Sequence, residues 1–163
     1  MFNSLKILVP LISFFLCVFL PLRAVSQPLG FMYFADKETI ARLWLNPIDG
    51  SLGVHHLSYP TKFISDSDFF VIESEPLKLA IPKKMSAESW VYAGQTYENL
   101  GQVKIKWRGK QLVAYRITLA SSDQVVAIYN VRFGVLGFER VSGKGIEKIW
   151  LRGRCGYGAL GCE

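Results

Sequence analysis

The chain has 163 residues, half of them hydrophobic and a fifth charged, which is room for one ordinary domain with a core of useful size. No internal repeat, low-complexity tract or charged linker divides it. The formal net charge of +6, from 19 Lys or Arg against 13 Asp or Glu, is a mild bias that excludes a polyanion-binding composition.

Residues 1–26 read as an export signal. Lys6 supplies the charged start, and Ile7 to Leu22 is almost wholly apolar. Small Ala24 and Ser26 then occupy the minus-three and minus-one positions that a signal peptidase requires, so cleavage is expected before Gln27. An uncleaved anchor is disfavoured by length, because about 20 apolar residues are needed to cross a bilayer core and this shorter run carries Pro10 and Pro21 near its ends. Lipid attachment at Cys17 is disfavoured by the bulky Phe14-Phe15-Leu16 before it. The expected mature chain is a single β domain over residues 27–163, periplasmic or extracellular, with no transmembrane segment after cleavage. Lys6 and Arg23 leave with the signal, so 137 residues with a net charge of +4 remain. That charge is uneven, −3 over residues 27–100 and +7 over 101–163. Such asymmetry marks a basic face, or is neutralised when the two halves fold together.

Phe31–Ala35 is the first predicted strand, Asp36-Lys37-Glu38 a turn, and Thr39–Leu45 the second strand. Asn46-Pro47-Ile48-Asp49-Gly50 turns the chain, since proline presets φ and Asp-Gly tolerates the reversed backbone. This turn resembles one hairpin of a propeller blade, but it occurs once and implies a hairpin alone. Ser51–Tyr59 is expected as the third strand of a meander. Phe69–Glu73 and Leu77–Ile81 follow, interrupted by Pro76 and stopped by Pro82, which predicts edge positions or a bend. In Ser86–Tyr97 a helix capped by Ser86 competes with a strand through Trp90-Val91-Tyr92, and the strand is preferred.

From Val103 to Arg108 apolar and cationic residues alternate, the pattern of a half-buried strand, and Val113, Tyr115, Ile117 and Leu119 repeat it. A Gly109-Lys110 turn would pair Trp107 with Leu112, Ile105 with Ala114 and Val103 with Arg116. A one-residue shift instead pairs Trp107 with Val113, Ile105 with Tyr115 and Val103 with Ile117, which keeps one face apolar. That second register is preferred, with a longer loop or bulge near Gly109. Val125–Phe133, apolar on both parities, is expected inside the sheet. Phe138–Val141, the Ser142-Gly143-Lys144-Gly145 turn and Ile146–Arg152 make a last hairpin. The fold expected is all-β and mostly antiparallel, with about nine to eleven strands in a single small barrel or sandwich of meandering hairpins.

Cys155 and Cys162 remain after cleavage. An even pair in an exported protein reads as a disulfide closing a C-terminal loop, and the glycines between them let the chain turn back. The alternatives are a redox pair, which is normally closer spaced, and a zinc site, which needs more ligands than two distant histidines supply.

Four groups of residues invite chemistry. The preferred register sets Lys104, Lys106, Arg108 and Arg116 on the outer face of one hairpin, where they would bind an anionic ligand or an acidic partner, or merely solvate the strand. Trp107 and Tyr115 would point the other way, which leaves no stacking platform for nucleic acid. His55 and His56, if on a strand, face opposite sides and cannot share a metal. Asp66, Asp68, Glu73 and Glu75 offer carboxylates for calcium or for glycan hydrolysis, although the third ligand and turn glycine of a calcium loop are missing, and a solvated loop reads as well. Trp44, Trp107 and Trp150 sit at parities that suit core packing rather than a sugar groove.

No nucleophile, base or metal constellation emerges, and neither a cofactor nor a catalytic residue is assigned. The expected function is that of an exported binding or accessory protein acting through a protein or anionic-ligand surface, its partner another envelope or extracellular protein. The alternatives are a small envelope glycan hydrolase using the carboxylates and a structural component of a secretion or surface assembly.

Overall fold

The computed structural model describes residues 30–36, 38, 40–142 and 145–162. The expected export signal at residues 1–26 and the turn residues 143 and 144 lie outside them. The described residues form thirteen strands and no helix: β1 (Phe31–Ala35), β2 (Leu43–Asn46), β3 (Ser51–Val54), β4 (Leu57–Pro60), β5 (Lys62–Ser65), β6 (Phe69–Glu73), β7 (Lys78–Pro82), β8 (Ser89–Tyr92), β9 (Gln95–Trp107), β10 (Lys110–Leu119), β11 (Ser122–Asn130), β12 (Gly134–Ser142) and β13 (Gly145–Leu151).

The count exceeds nine to eleven for two reasons. Ser51–Tyr59 is not one strand but β3 and β4, reversed at His55-His56 with His55 at a φ of 55°. The chain then passes directly into β5, which has no turn residues of its own to announce it. β8 and β9 make the segment 89–97 a hairpin, as preferred, through an Ala93-Gly94 turn with φ of 47° and 74°.

Two antiparallel sheets form. The larger has the order β4-β3-β2-β1-β13-β12-β11-β10-β9-β8, and β5-β6-β7 makes the smaller. The strands at the two ends of the larger sheet are not paired, so the architecture is a sandwich rather than a closed barrel. Between the layers, Tyr33, Leu45, Leu52, Ile117, Tyr129 and Phe138 of the large sheet meet Phe70, Ile72, Leu79 and Ile81 of the small one. The small sheet's other face is covered too. Val71 and Ala80 pack against Tyr97, with Trp90 and Tyr92 alongside, and Trp90 Nε1 donates to the Ala80 carbonyl at 2.9 Å. Double burial explains why β6 and β7 are apolar at successive positions. Pro82 ends β7, an edge strand of the small sheet, where no neighbour needs its missing N–H. β11 runs inside the large sheet, between β10 and β12.

Two of the three tryptophans expected in the core, Trp44 and Trp150, depart from the expected parity. Trp44 lies between buried Leu43 and Leu45 and so points outward, where its ring covers Gly53 so closely that a Cβ there would overlap it. Trp150 lies likewise over Gly137, beside a small outer cluster of Ala114, Val126 and Ile128. Trp107 is half-buried and packs on the main core.

The β9–β10 register also differs from both expectations. Trp107 pairs with Lys110, Ile105 with Leu112 and Val103 with Ala114, around a two-residue Arg108-Gly109 turn with φ of 48° and 82°. These angles suit a type I′ turn, whose twist matches the strands. The irregularity is in β9 at Leu100-Gly101, not near Gly109.

Beyond β13 the chain crosses the end of the sandwich. A disulfide joins Cys155 to Cys162 with their Cα atoms 6.0 Å apart, and Tyr157 between them enters the gap between the sheets. Its ring meets Phe31, Phe63 and Phe70 edge-on, and its hydroxyl lies 2.8 Å from the carbonyls of both Ile64 and Val71. The backbone fits as tightly. Gly156 N donates to Phe133 O at 2.8 Å, and a Cβ on Gly156 would stand 1.8 Å from Val135 O, so no larger residue fits.

Candidate functional site

The register decides where the cations go. β11 begins to pair with β10 at Tyr115, and β8 pairs with β9 over Gln95–Glu98 alone, so residues 102–107 and 110–114 form a two-stranded arm that outruns its neighbours. Along the arm Lys104 stands opposite Val113 and Lys106 opposite Gln111, all four exposed on one face. Arg108 makes the turn, and Lys110 follows it. No Asp or Glu occurs between residues 99 and 119, and among the described residues these four cations form no ion pair.

Arg116 does not join them. Even-numbered residues of β9 stand opposite odd-numbered residues of β10, so Lys104 and Lys106 face one way and Arg116 the other. There its Nη2 lies 3.0 Å from Glu139 Oε2, and Lys148 Nζ lies 2.6 Å from Glu139 Oε1. Burial alone would raise the Glu139 carboxyl, but the hydrogen bond from Lys148 and the charges of Lys148 and Arg116 together hold it below the usual range. Arg116 is thus committed to the sheet. The candidate basic face keeps Lys104 and Lys106, with Arg108 at the turn beside them, whereas Lys110, opposite Trp107, adds its charge to the tip from the other face.

At the end of the sandwich opposite Tyr157 the layers part. A cleft of about 510 Å³ opens there, floored by Leu43, Val54, Leu77, Phe138 and Ile149. A second hollow of about 280 Å³ adjoins it across Glu75, Pro76 and Leu77 of the β6–β7 turn. Arg42, His55, Arg140 and Glu147 stand around the larger opening. Arg42 is held by a two-pronged ion pair with Glu38, which keeps that carboxyl low, and its Nη1 lies 3.5 Å from His55 Nδ1. Sequence spacing gave no hint of the cleft, because β2, β12 and β13 bring these residues together from far apart. One signal was present: Arg140 shares the inward parity of Phe138 on β12, a cation where a core residue is due.

The histidines stand in a turn rather than on a strand. His55 borders the cleft, with its backbone N donating to Arg42 O at 3.1 Å. The four carboxylates are divided between the two ends of β6. Asp68 and Glu73 are five residues apart along it, about 17 Å at the rise of a strand, whereas glycosidase pairs stand about 5–9.5 Å apart. Asp66 Oδ1 accepts the backbone N–H of Phe69 and Asp68 at 2.7 and 2.8 Å, which lowers its pKa and fixes the β5–β6 turn. Among the described residues no three His, Cys, Asp or Glu gather to hold a metal, and no helix is long and apolar enough to cross a membrane.

No family model, curated protein or solved structure matches the chain.

Proposed function

We propose that the protein is an exported binding or accessory protein, released before Gln27 into the periplasm or the extracellular space, that engages an acidic partner in the envelope through its β9–β10 arm. The observation that carries this reading is the arm itself: Lys104, Lys106, Arg108 and Lys110 stand on a ribbon beyond the rest of the sheet, with no acid in the same stretch. Cations fixed on paired strands lose little entropy on binding and steer an acidic surface toward them. The Cys155–Cys162 disulfide suits an oxidising compartment.

The test is sedimentation of the purified protein with envelope fractions at rising salt. Wild type is expected to bind at low salt and to be released as salt screens the contact, and Lys104→Glu/Lys106→Glu is expected to lose binding while keeping its melting temperature. Protease treatment of the fraction should abolish binding, and vesicles of anionic phospholipid should not restore it. Binding unchanged by the double reversal overturns the role of the arm. Binding that survives proteolysis overturns a protein partner.

A further inference from the structure

The cleft between the sheets raises a separate question, because its charges are arranged oddly. Across β12 and β13 the register sets Phe138 opposite Ile149 and, one step nearer the opening, Arg140 opposite Glu147. The same sheet face therefore passes from an apolar floor to a charged mouth within two residues. Directly opposed residues have Cβ atoms about 4.5–5.5 Å apart, yet Arg140 and Glu147 form no ion pair with each other, nor with any other described residue. Arg42 is spoken for by Glu38, so among the described residues Arg140 is the arginine left open at this mouth, and Glu75 of the β6–β7 turn also lines the cleft.

We infer that the cleft binds an amphiphile with a single apolar chain and a zwitterionic head, its chain on Leu43, Leu77 and Phe138 and its head between Arg140 and Glu147. An apolar ligand without charge would displace water from beside both ions at the mouth and return no contact to either. A ligand with one charge satisfies Arg140 or Glu147 and strands the other. A head carrying both signs meets both, and a cleft of about 510 Å³ is the size of a small-molecule site.

The test is calorimetry of the purified protein with three probes of equal chain length, each below its micelle concentration: dodecylphosphocholine, dodecanoate and dodecyltrimethylammonium. Dodecylphosphocholine is expected to bind most tightly. Arg140→Gln should weaken it about fivefold, as for a partly exposed ion contact, and leave dodecyltrimethylammonium unchanged. Glu147→Gln should weaken it similarly and leave dodecanoate unchanged. Both residues are exposed, so neither change threatens the fold. Leu77→Trp, which fills the cleft, should abolish binding in protein whose circular dichroism is native. Lys104→Glu/Lys106→Glu should bind dodecylphosphocholine as wild type does, which separates this site from the arm. Equal affinity for the three probes, equal weakening of all three by either glutamine variant, or no heat from any of them overturns the inference.

Discussion

Tyr157 does more for this molecule than any other single side chain near the C-terminal loop. Its hydroxyl has one proton and two carbonyls at 2.8 Å, those of Ile64 and Val71, and three phenylalanine rings fix its plane. Removing the hydroxyl leaves both carbonyls facing a ring edge, so Tyr157→Phe should lower the unfolding free energy by about 1–2 kcal/mol in denaturant melts. The same phenol sets a pH limit. Burial pushes Tyr157 up to about 12 from 10.0, and Tyr129, whose hydroxyl donates to Gly158 O, also to about 12. The folded state therefore keeps protons that the unfolded state gives up. Stability from these groups is complete below pH 10 and is lost as pH rises toward 12. Melts at rising alkaline pH should show that decline, and Tyr157→Phe should make it shallower; an equal slope in the variant would refute the assignment.

Among the strands, the turns carry the strain. Ala93 and Arg108 both occupy the first position of two-residue hairpin turns at φ near 48°, where a Cβ is crowded and asparagine is better tolerated. Ala93→Asn should raise stability by about 0.5–1 kcal/mol, read as a higher melting temperature without change in the spectrum. Those turns also mark what the sequence could say. Alternation of apolar and polar residues located β9 and β10, because burying one face of a sheet imposes that period, and short apolar runs bounded by turn residues located β1 and β6. It did not fix how β9 meets β10, since a reversal at Arg108-Gly109 requires a left-handed arginine, which no propensity favours. A register three residues from the preferred one, an odd shift that reverses which residues share a face, then moved Arg116 from the basic face to Glu139. Trp44 and Trp150 misled for a related reason: size suggests the core, but glycines at 53 and 137 make flat outer seats for them. The cleft was hidden because its walls come from strands remote in the chain.

Taken whole, the sandwich is sealed at one end and open at the other. The sealed end depends on a loop of about eight residues closed by Cys155–Cys162, so its reduction should cost about 2–3 kcal/mol and expose Tyr157, measurable as a lower melting temperature and new phenol titration in reductant. An unchanged melt would mean that packing alone holds the plug. The large sheet has one further property of time rather than of strength. β1 to β4 stack in chain order, and so do β8 to β13, each by hairpins between neighbours. The two stacks meet along β1 and β13, where Tyr33 pairs with Leu151 after most of the chain has intervened. Local hairpins close fast and distant pairings slowly, so two preformed half-sheets must find each other across that line. The slowest step of folding is expected there, at the junction between the first strand and the last, so destabilising the β1–β13 pairing should slow refolding more than destabilising any single hairpin.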